Sequence, residues 1–193
     1  SSGIIIFFFN QAILKYIGEY ALVSYTIISY VNTIVVMSMA GIAQGTQPLI
    51  SYYYGKNEPE KYKKLLKYGM VAAAAGSVAA VLICYVGAER IVGLFLKESE
   101  ASLSIYSVRV LRIFILSFLL AGLNVVLGGY FTSVEKAGFA TMISLTRSLV
   151  ALVISLVFLT AVFGGEAIWW APLIAESCCL VLSAGLYQWY RKK

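Results

Sequence analysis

The sequence contains neither histidine nor aspartate, and its nine acidic residues are all glutamates. Without histidine, a Ser–His nucleophile or a His-ligated metal site cannot form. The three cysteines, Cys84, Cys178 and Cys179, lie inside apolar runs and match neither zinc-ligand spacing nor a disulfide framework. The sequence therefore predicts no catalytic site, no metal site and no bound cofactor.

Charged residues are also scarce. They make up 12% of the chain, whereas a soluble domain averages about 25%. Hydrophobic residues make up 61%, and the mean hydropathy is +0.85. A chain this apolar has too little polar surface to face water, so we expect an all-α, polytopic membrane protein. The net charge of +6 then points to topology and anionic lipid, not to nucleic acid.

Six apolar segments are predicted to cross the membrane, since about 20 apolar residues span a bilayer core. They cover residues 3–16, 20–54, 62–86, 102–133, 138–163 and 167–190. The second segment is longer than the hydrocarbon core is thick. We expect it to be kinked over residues 41–48, where Gly41, Gly45 and Pro48 oppose a regular helix and form a candidate hinge.

Lysines and arginines are distributed unequally between the two sides that these six segments define. One side carries nine of them: Lys56, Lys61, Lys63, Lys64, Lys67, Lys136, Arg191, Lys192 and Lys193. The other side carries three: Lys15, Arg90 and Lys97. The bias predicts that the loop 55–61 and the C-terminus are cytoplasmic. The lysines of Lys61–Lys67 are predicted to contact anionic headgroups.

Glu176 is the only acidic residue near the middle of a predicted span. A charge at that depth costs several kcal/mol unless it is paired or neutralised. Arg112 and Arg147 both lie within spans, so we predict that Glu176 pairs with one of them. Two roles stay open for this charge pair: a fixed salt bridge between helices, or a titrating coupling site.

Several uncharged residues at membrane depth form a candidate substrate cleft. Polar side chains within a bilayer must face protein or water. They therefore either line a cleft that binds substrate or hydrogen-bond between helices, and the residue types alone leave both open. The candidates are Asn10, Asn32, Met37, Gln44, Gln47 and Asn124.

Five stretches of the chain carry a family resemblance. GIAQGTQPLISYYYG, from Gly41 to Gly55, is similar to the signature G-x-x-Q-G-x-Q-P-x-x-x-Y-x-Y-G of the multidrug and toxic compound extrusion (MATE) family. FFFNQAILKY, GGYFTSVEKAG, SLTRSLVAL and FGGEAIWWAPLIAES resemble further helix segments of that family, in the same order. The resemblance is closest to its MepA-like branch.

The resemblance implies that this chain is the C-terminal six-helix lobe of a two-lobe transporter, with the N-terminal lobe as its missing partner. Such a protein lies in the prokaryotic plasma (inner) membrane and exports small cationic, often aromatic compounds by antiport. The coupling ion is expected to be Na⁺ or H⁺. Family members with a cation site in this lobe carry carboxylates in its first and fourth spans. The chain lacks them, so we expect coupling to rest on the other lobe.

The sequence is also compatible with two other functions. A flippase for lipid-linked precursors would share the broad architecture, but would need a basic central cavity for a pyrophosphate. A non-transporting membrane scaffold, or a fragment, would need neither a solvent-filled cleft nor a helix break.

Overall fold

Helices account for all regular structure in residues 2–97 and 100–192, the part of the chain that the computed structural model describes; side chains are described for residues 5–97 and 100–191. Lys192 and Lys193, two of the predicted C-terminal charges, lie outside the described side chains. The helices are α1 Ser2–Tyr16, α2 Tyr20–Gly55, α3 Pro59–Val86, α4 Ala88–Gly93, α5 Ala101–Phe114, α6 Phe118–Ser133, α7 Ala137–Leu145, α8 Ala151–Phe163 and α9 Ala171–Lys192. The all-α membrane fold is confirmed.

Short irregular turns join helices into longer membrane-spanning units. A 3₁₀ turn at Ile115–Ser117 joins α5 to α6, and a π-helical turn at Thr146–Val150 joins α7 to α8. A 3₁₀ segment at Gly165–Trp170 leads into α9. These units, with α2 and α3, give five helices long and apolar enough to cross a membrane.

The predicted count of six spans is therefore one higher than the number of such long helices among the described residues. The first predicted segment, 3–16, corresponds to the apolar helix Ile5–Tyr16, which is shorter than the other five. Each helical residue advances about 1.5 Å, so this segment covers well under the roughly 30 Å of a bilayer core. The other five predicted segments lie within the five long units.

α2 is one continuous helix of 36 residues that runs through Gly41, Gly45 and Pro48, and a kink at these residues stays a prediction. Pro48 removes a single donor, the one that would bond the Gln44 carbonyl, and the rest of the ladder remains. The Thr46 hydroxyl donates to the carbonyls of Ile42 and Ala43, at 3.3 and 2.9 Å. A hinge role for the three residues stays a prediction.

Helices α2, α3 and α6 pack against one another through small residues. A Cβ on Gly122 of α6 would lie 2.5 Å from the Ser77 Oγ and 3.0 Å from the Met39 Sδ. A Cβ on Gly129, two turns further along, would lie 2.6 Å from the Gln47 Nε2. Small residues let helix backbones approach closely in lipid, and here they set the position of α6.

The core consists of two clusters of buried side chains. One surrounds Phe9, which stacks on Tyr25 with ring centroids 4.5 Å apart, and includes Trp169. The other surrounds Tyr130 and includes Leu66. Residues of both clusters border a cavity inside the lobe, which is the main candidate for a functional site.

Candidate functional site: a central cavity with an ion pair in its wall

A cavity of about 570 Å³ lies inside the lobe. Ligand pockets in proteins are typically about 300–1,000 Å³, so the space can hold a drug-sized molecule. Its wall is of two kinds. Apolar and aromatic side chains include Phe9, Tyr25, Met37, Phe114 and Pro172, and polar ones include Ser29, Asn32, Thr33, Gln47, Ser117, Asn124, Thr132, Ser144, Arg147, Ser148 and Glu176.

An ion pair occupies this wall. The Nε of Arg147 donates to the Oε1 of Glu176 at 2.7 Å. The two side chains retain 23% and 12% of their exposure, so both charges are largely withdrawn from solvent. The sequence left Arg112 and Arg147 open as partners for Glu176, and the structure joins it to Arg147.

Asn124 supplies the second partner of the same carboxylate. Its Nδ2 lies 2.7 Å from the Glu176 Oε2 and 2.9 Å from the Glu176 main-chain carbonyl. Each carboxylate oxygen therefore accepts one hydrogen bond, from α6 on one side and from the π-helical turn on the other. The Asn124 side chain is 1% exposed, and its Oδ1 has no partner among the described residues.

The π-helical turn carries the arginine. Arg147 is the second residue of Thr146–Val150, where the helix from α7 to α8 is wound more widely. A π turn inserts a residue into an α-helix, which rotates the side chains that follow relative to those before, and such turns are frequent at functional sites. Here the turn lies where the guanidinium reaches α9.

Arg112 lies elsewhere. Its Nη2 is 3.2 Å from the Glu89 Oε1, and its guanidinium lies 5.0 Å from the centroid of the Tyr85 ring. It therefore faces α3 and α4, away from Glu176. Depth in the membrane made Arg112 and Arg147 equivalent candidates, but they lie on helix faces that point to different neighbours.

The six predicted cleft residues divide into two groups. Asn32, Met37, Gln47 and Asn124 line the cavity, whereas Asn10 and Gln44 do not. Gln44 is exposed and Asn10 is half-buried. Nothing in the described contacts tests whether any of these residues binds substrate, so that role stays a prediction.

Sequence reasoning missed the hydroxyl groups of the wall. Ser29, Thr33, Ser117, Thr132, Ser144 and Ser148 all line the cavity. Several also donate to the carbonyl four residues earlier, as Ser148 does to Ser144 at 2.6 Å. Serines and threonines recurring along otherwise apolar helices were the available signal, and only the packing shows which of them face inward.

The fold and the cavity define a class: a multi-pass α-helical membrane protein with a cavity of mixed polar and apolar lining, large enough for a drug-sized molecule, between its helices. Comparison with known proteins then gives the family. The MatE family model matches residues 4–157, and the chain belongs to this family, whose members are transporters.

Curated relatives support the same assignment. The chain is 25% identical over 166 residues to the multidrug export protein MepA of Staphylococcus haemolyticus, covering 86% of this chain and 36% of that protein. It is 22% identical over 162 residues to MepA of Staphylococcus saprophyticus, covering 84% of this chain and 35% of that protein. The chain thus spans about a third of the length of these relatives.

Solved structures share the fold. An outward-facing multidrug resistance MATE family transporter superposes with a TM-score of 0.89 at 17% identity, covering all of this chain and 44% of that one. An inward-facing MATE structure gives 0.87 at 20% identity, covering 98% and 43%. At these identities the likeness is one of fold. The match to under half of a longer transporter is consistent with another lobe.

Proposed function

We propose that this chain forms one lobe of a secondary active multidrug efflux antiporter that exports cationic, aromatic compounds in exchange for Na⁺ or H⁺. The observation that carries the proposal is the central cavity, because it combines aromatic walls with amides and hydroxyls in a lobe of MATE fold. Aromatic faces attract cations, and uncharged polar groups orient a ligand without demanding one shape.

The charges of the cavity fit this substrate class better than they fit a pyrophosphate. Glu176 neutralises Arg147, and these two are the charged residues of the wall among the described side chains. A flippase for lipid-linked precursors would require excess positive charge at this place. A neutral, partly aromatic wall instead accepts bulky organic cations, because their desolvation cost is low.

The Glu176 carboxylate acts in this proposal as a structural link. Arg147 and Asn124 each donate a hydrogen bond to one of its oxygens, so Na⁺ or H⁺ binding there would compete with the Arg147 guanidinium for the same negative charge. Coupling therefore rests on the lobe that this sequence does not contain. The two lobes rock about the cavity, and the coupling ion favours one of the two conformations.

The topology completes the proposal. The lobe lies in the prokaryotic plasma membrane with the loop 55–61 and the C-terminus in the cytoplasm. The excess of lysine and arginine on that side supports this orientation.

Efflux of a planar cation tests the proposal. The complete reading frame that contains this chain is expressed in a bacterial strain lacking its own drug exporters, and loss of ethidium from preloaded cells is followed by fluorescence. We expect efflux that stops when the Na⁺ or the pH gradient is collapsed. Ethidium efflux that continues after both gradients are collapsed, or transport of a lipid-linked precursor instead of ethidium, would contradict the proposal.

Two matched substitutions in α2 test whether the substrate occupies the central cavity. Gln47→Leu removes an amide from the cavity wall, and Gln44→Leu makes the same change at an exposed position one turn away. We expect the Gln47 variant to lower ethidium efflux severalfold at equal expression, with the Gln44 variant close to the parent. A defect confined to Gln44→Leu would move the substrate path out of this cavity.

A further inference from the structure

A second cavity, of about 420 Å³, lies at the end of the lobe where α3 begins and α9 ends. We name it the tyrosine–lysine pocket. Its wall combines side chains from the start of α3, the end of α6, the α6–α7 turn and the end of α9. They are Tyr62, Lys63, Tyr130, Lys136, Tyr187, Tyr190 and Arg191.

The charge of this pocket is of one sign. Lys63, Lys136 and Arg191 contribute three cations, and none of the lining residues is acidic. None of the three makes an ion pair within the described part of the chain. Like charges gathered in one cavity repel one another, so an anion bound among them would be stabilised by all three.

The neighbouring lysines behave differently. Lys61 pairs with Glu58 at 2.5 Å and lies over the Tyr53 ring, while Lys64 lies over the Tyr68 ring. Both are exposed, and so is Lys67, whereas Lys63 is half-buried. One lysine of the basic run is thus directed into a cavity, which a general attraction to the membrane surface does not require.

The tyrosines give the pocket a fixed shape. Tyr130 is 1% exposed, and its ring contacts those of Tyr62, Tyr187 and Tyr190 at centroid distances of 6.5, 5.7 and 6.4 Å. The Lys136 Nζ lies 5.8 Å from the centroid of the Tyr190 ring. Phenol, ammonium and guanidinium groups are all hydrogen-bond donors, so the wall is rich in donors for an oxyanion.

The position of the pocket favours an anion carried by lipid. The ring contacts continue from Tyr190 through Phe131 and Phe139 to Trp189, whose side chain is 50% exposed. Tryptophan and tyrosine concentrate at the membrane–water interface, at the depth of the headgroups. Basic pockets between membrane helices at that depth bind phosphorylated headgroups.

We propose that the tyrosine–lysine pocket binds the phosphate of one anionic phospholipid. The lipid would join the ends of α3, α6 and α9 and hold this end of the lobe at the membrane surface. The proposal requires a membrane protein of this fold but not the proposed export activity, so either can fail without the other.

Lipid retention tests the site. The full-length protein is purified in mild detergent, incubated with phosphatidylglycerol, phosphatidylcholine or inorganic phosphate, and examined by native mass spectrometry. We expect one phosphatidylglycerol to be retained in preference to phosphatidylcholine. Removing two of the three charges in Lys63→Gln/Arg191→Gln should weaken that retention by about 30-fold, if each charge near the surface contributes about 1 kcal/mol.

Matched control variants separate binding in the pocket from general surface attraction. Lys64→Gln/Lys67→Gln removes the same number of charges from α3 at positions that do not line the pocket, and should change retention less than about threefold. Lys63→Arg keeps the charge and should retain the lipid. Thermal unfolding of each variant identifies any that fails to fold, and Tyr187→Phe, which removes one donor and keeps the ring, then serves as a milder second probe.

Three outcomes would overturn the proposal. Equal losses in the two double variants would mean diffuse surface attraction. Equal retention of phosphatidylcholine would mean that charge does not select the lipid. Displacement of the lipid by millimolar inorganic phosphate, with the same loss in the Lys63/Arg191 variant, would mean that the pocket takes the free anion.

Discussion

The two cavities of this lobe treat charge in opposite ways. In the central cavity Arg147 and Glu176 meet at 2.7 Å, and Asn124 completes the carboxylate's bonds. In the tyrosine–lysine pocket Lys63 and Arg191 share a wall with a third cation and no acid. The charges of the central cavity are neutralised within the protein, whereas the positive charge of the tyrosine–lysine pocket is available to an anion from outside.

Depth accounts for the difference. Within the helices a lone charge has neither water nor counterion, so its cost must be met by another side chain. At the membrane surface, water and anionic headgroups supply that compensation. The contrast teaches that an unpaired cation is informative near the surface, while deep in the lobe it would be a defect.

The largest effect on this comparison is expected when Glu176 loses its ion-pair partner in the central cavity. Arg147→Met removes its ion-pair partner, and we expect a loss of about 3–5 kcal/mol of stability, because the carboxylate stays buried without its counter-charge. Thermal unfolding in detergent, followed by tryptophan fluorescence, measures it. The double variant Arg147→Met/Glu176→Met should recover most of the loss. Equal stability of parent and single variant would contradict the pairing.

Removing the second partner should cost less. Asn124→Ala takes away the amide that donates to the Glu176 Oε2 but leaves Arg147 in place. Hydrogen bonds to charged groups contribute about 1.5–3 kcal/mol, and we expect a loss in that range. The same unfolding assay checks it. Combined with Arg147→Met in a double-mutant cycle, the two changes should be non-additive, and simple additivity would argue against a shared carboxylate.

The close packing of α6, which contributes to both cavities, can be tested at Gly122. A Cβ there would meet Ser77 and Met39, so Gly122→Ala should cost about 1–3 kcal/mol through overpacking. Gly41→Ala is the matched control, since a Cβ there meets nothing within 4 Å. We expect that variant to be neutral or slightly stabilised, and a larger loss at Gly41 than at Gly122 would contradict close packing around Gly122.

The smallest effect is expected at Arg112. Its bond to Glu89 joins side chains that are 34% and 76% exposed, and ion pairs that are open to solvent contribute about 0–1 kcal/mol. Arg112→Gln should therefore shift the unfolding midpoint far less than Arg147→Met does. If the two arginine variants were equally destabilised, burial would not be what separates the two ion pairs.

Some of the site could be predicted from the sequence. A single glutamate within an apolar segment must find a partner, so Glu176 was identifiable without a structure. Its partner was not, because Arg112 and Arg147 lie at similar depths and the choice depends on the π-helical turn and on how the helices are rotated. Neither of those leaves a clear mark in composition or hydropathy.

The continuity of α2 through Gly41, Gly45 and Pro48 was hard to predict from the sequence for a related reason. Gly41, Gly45 and Pro48 lower local helix propensity, but a segment within a bilayer keeps its main-chain hydrogen bonds because the alternative is an unpaired donor or acceptor in hydrocarbon. α2 therefore continues to Gly55, with the Thr46 hydroxyl bonding carbonyls of the preceding turn. The low local helix propensity was overridden by the cost of unpaired main-chain groups in the bilayer.

The sequence by itself determined the membrane class, the long apolar helices and the need to neutralise Glu176. These follow from hydropathy and charge, which can be read residue by residue along the chain. Only the tertiary structure decided that Arg147 and Asn124 meet Glu176, that Gln47 faces the cavity and Gln44 does not, and that Lys63 and Arg191 share a pocket. Those pairings join residues far apart in the chain, so they depend on helix rotation and close packing.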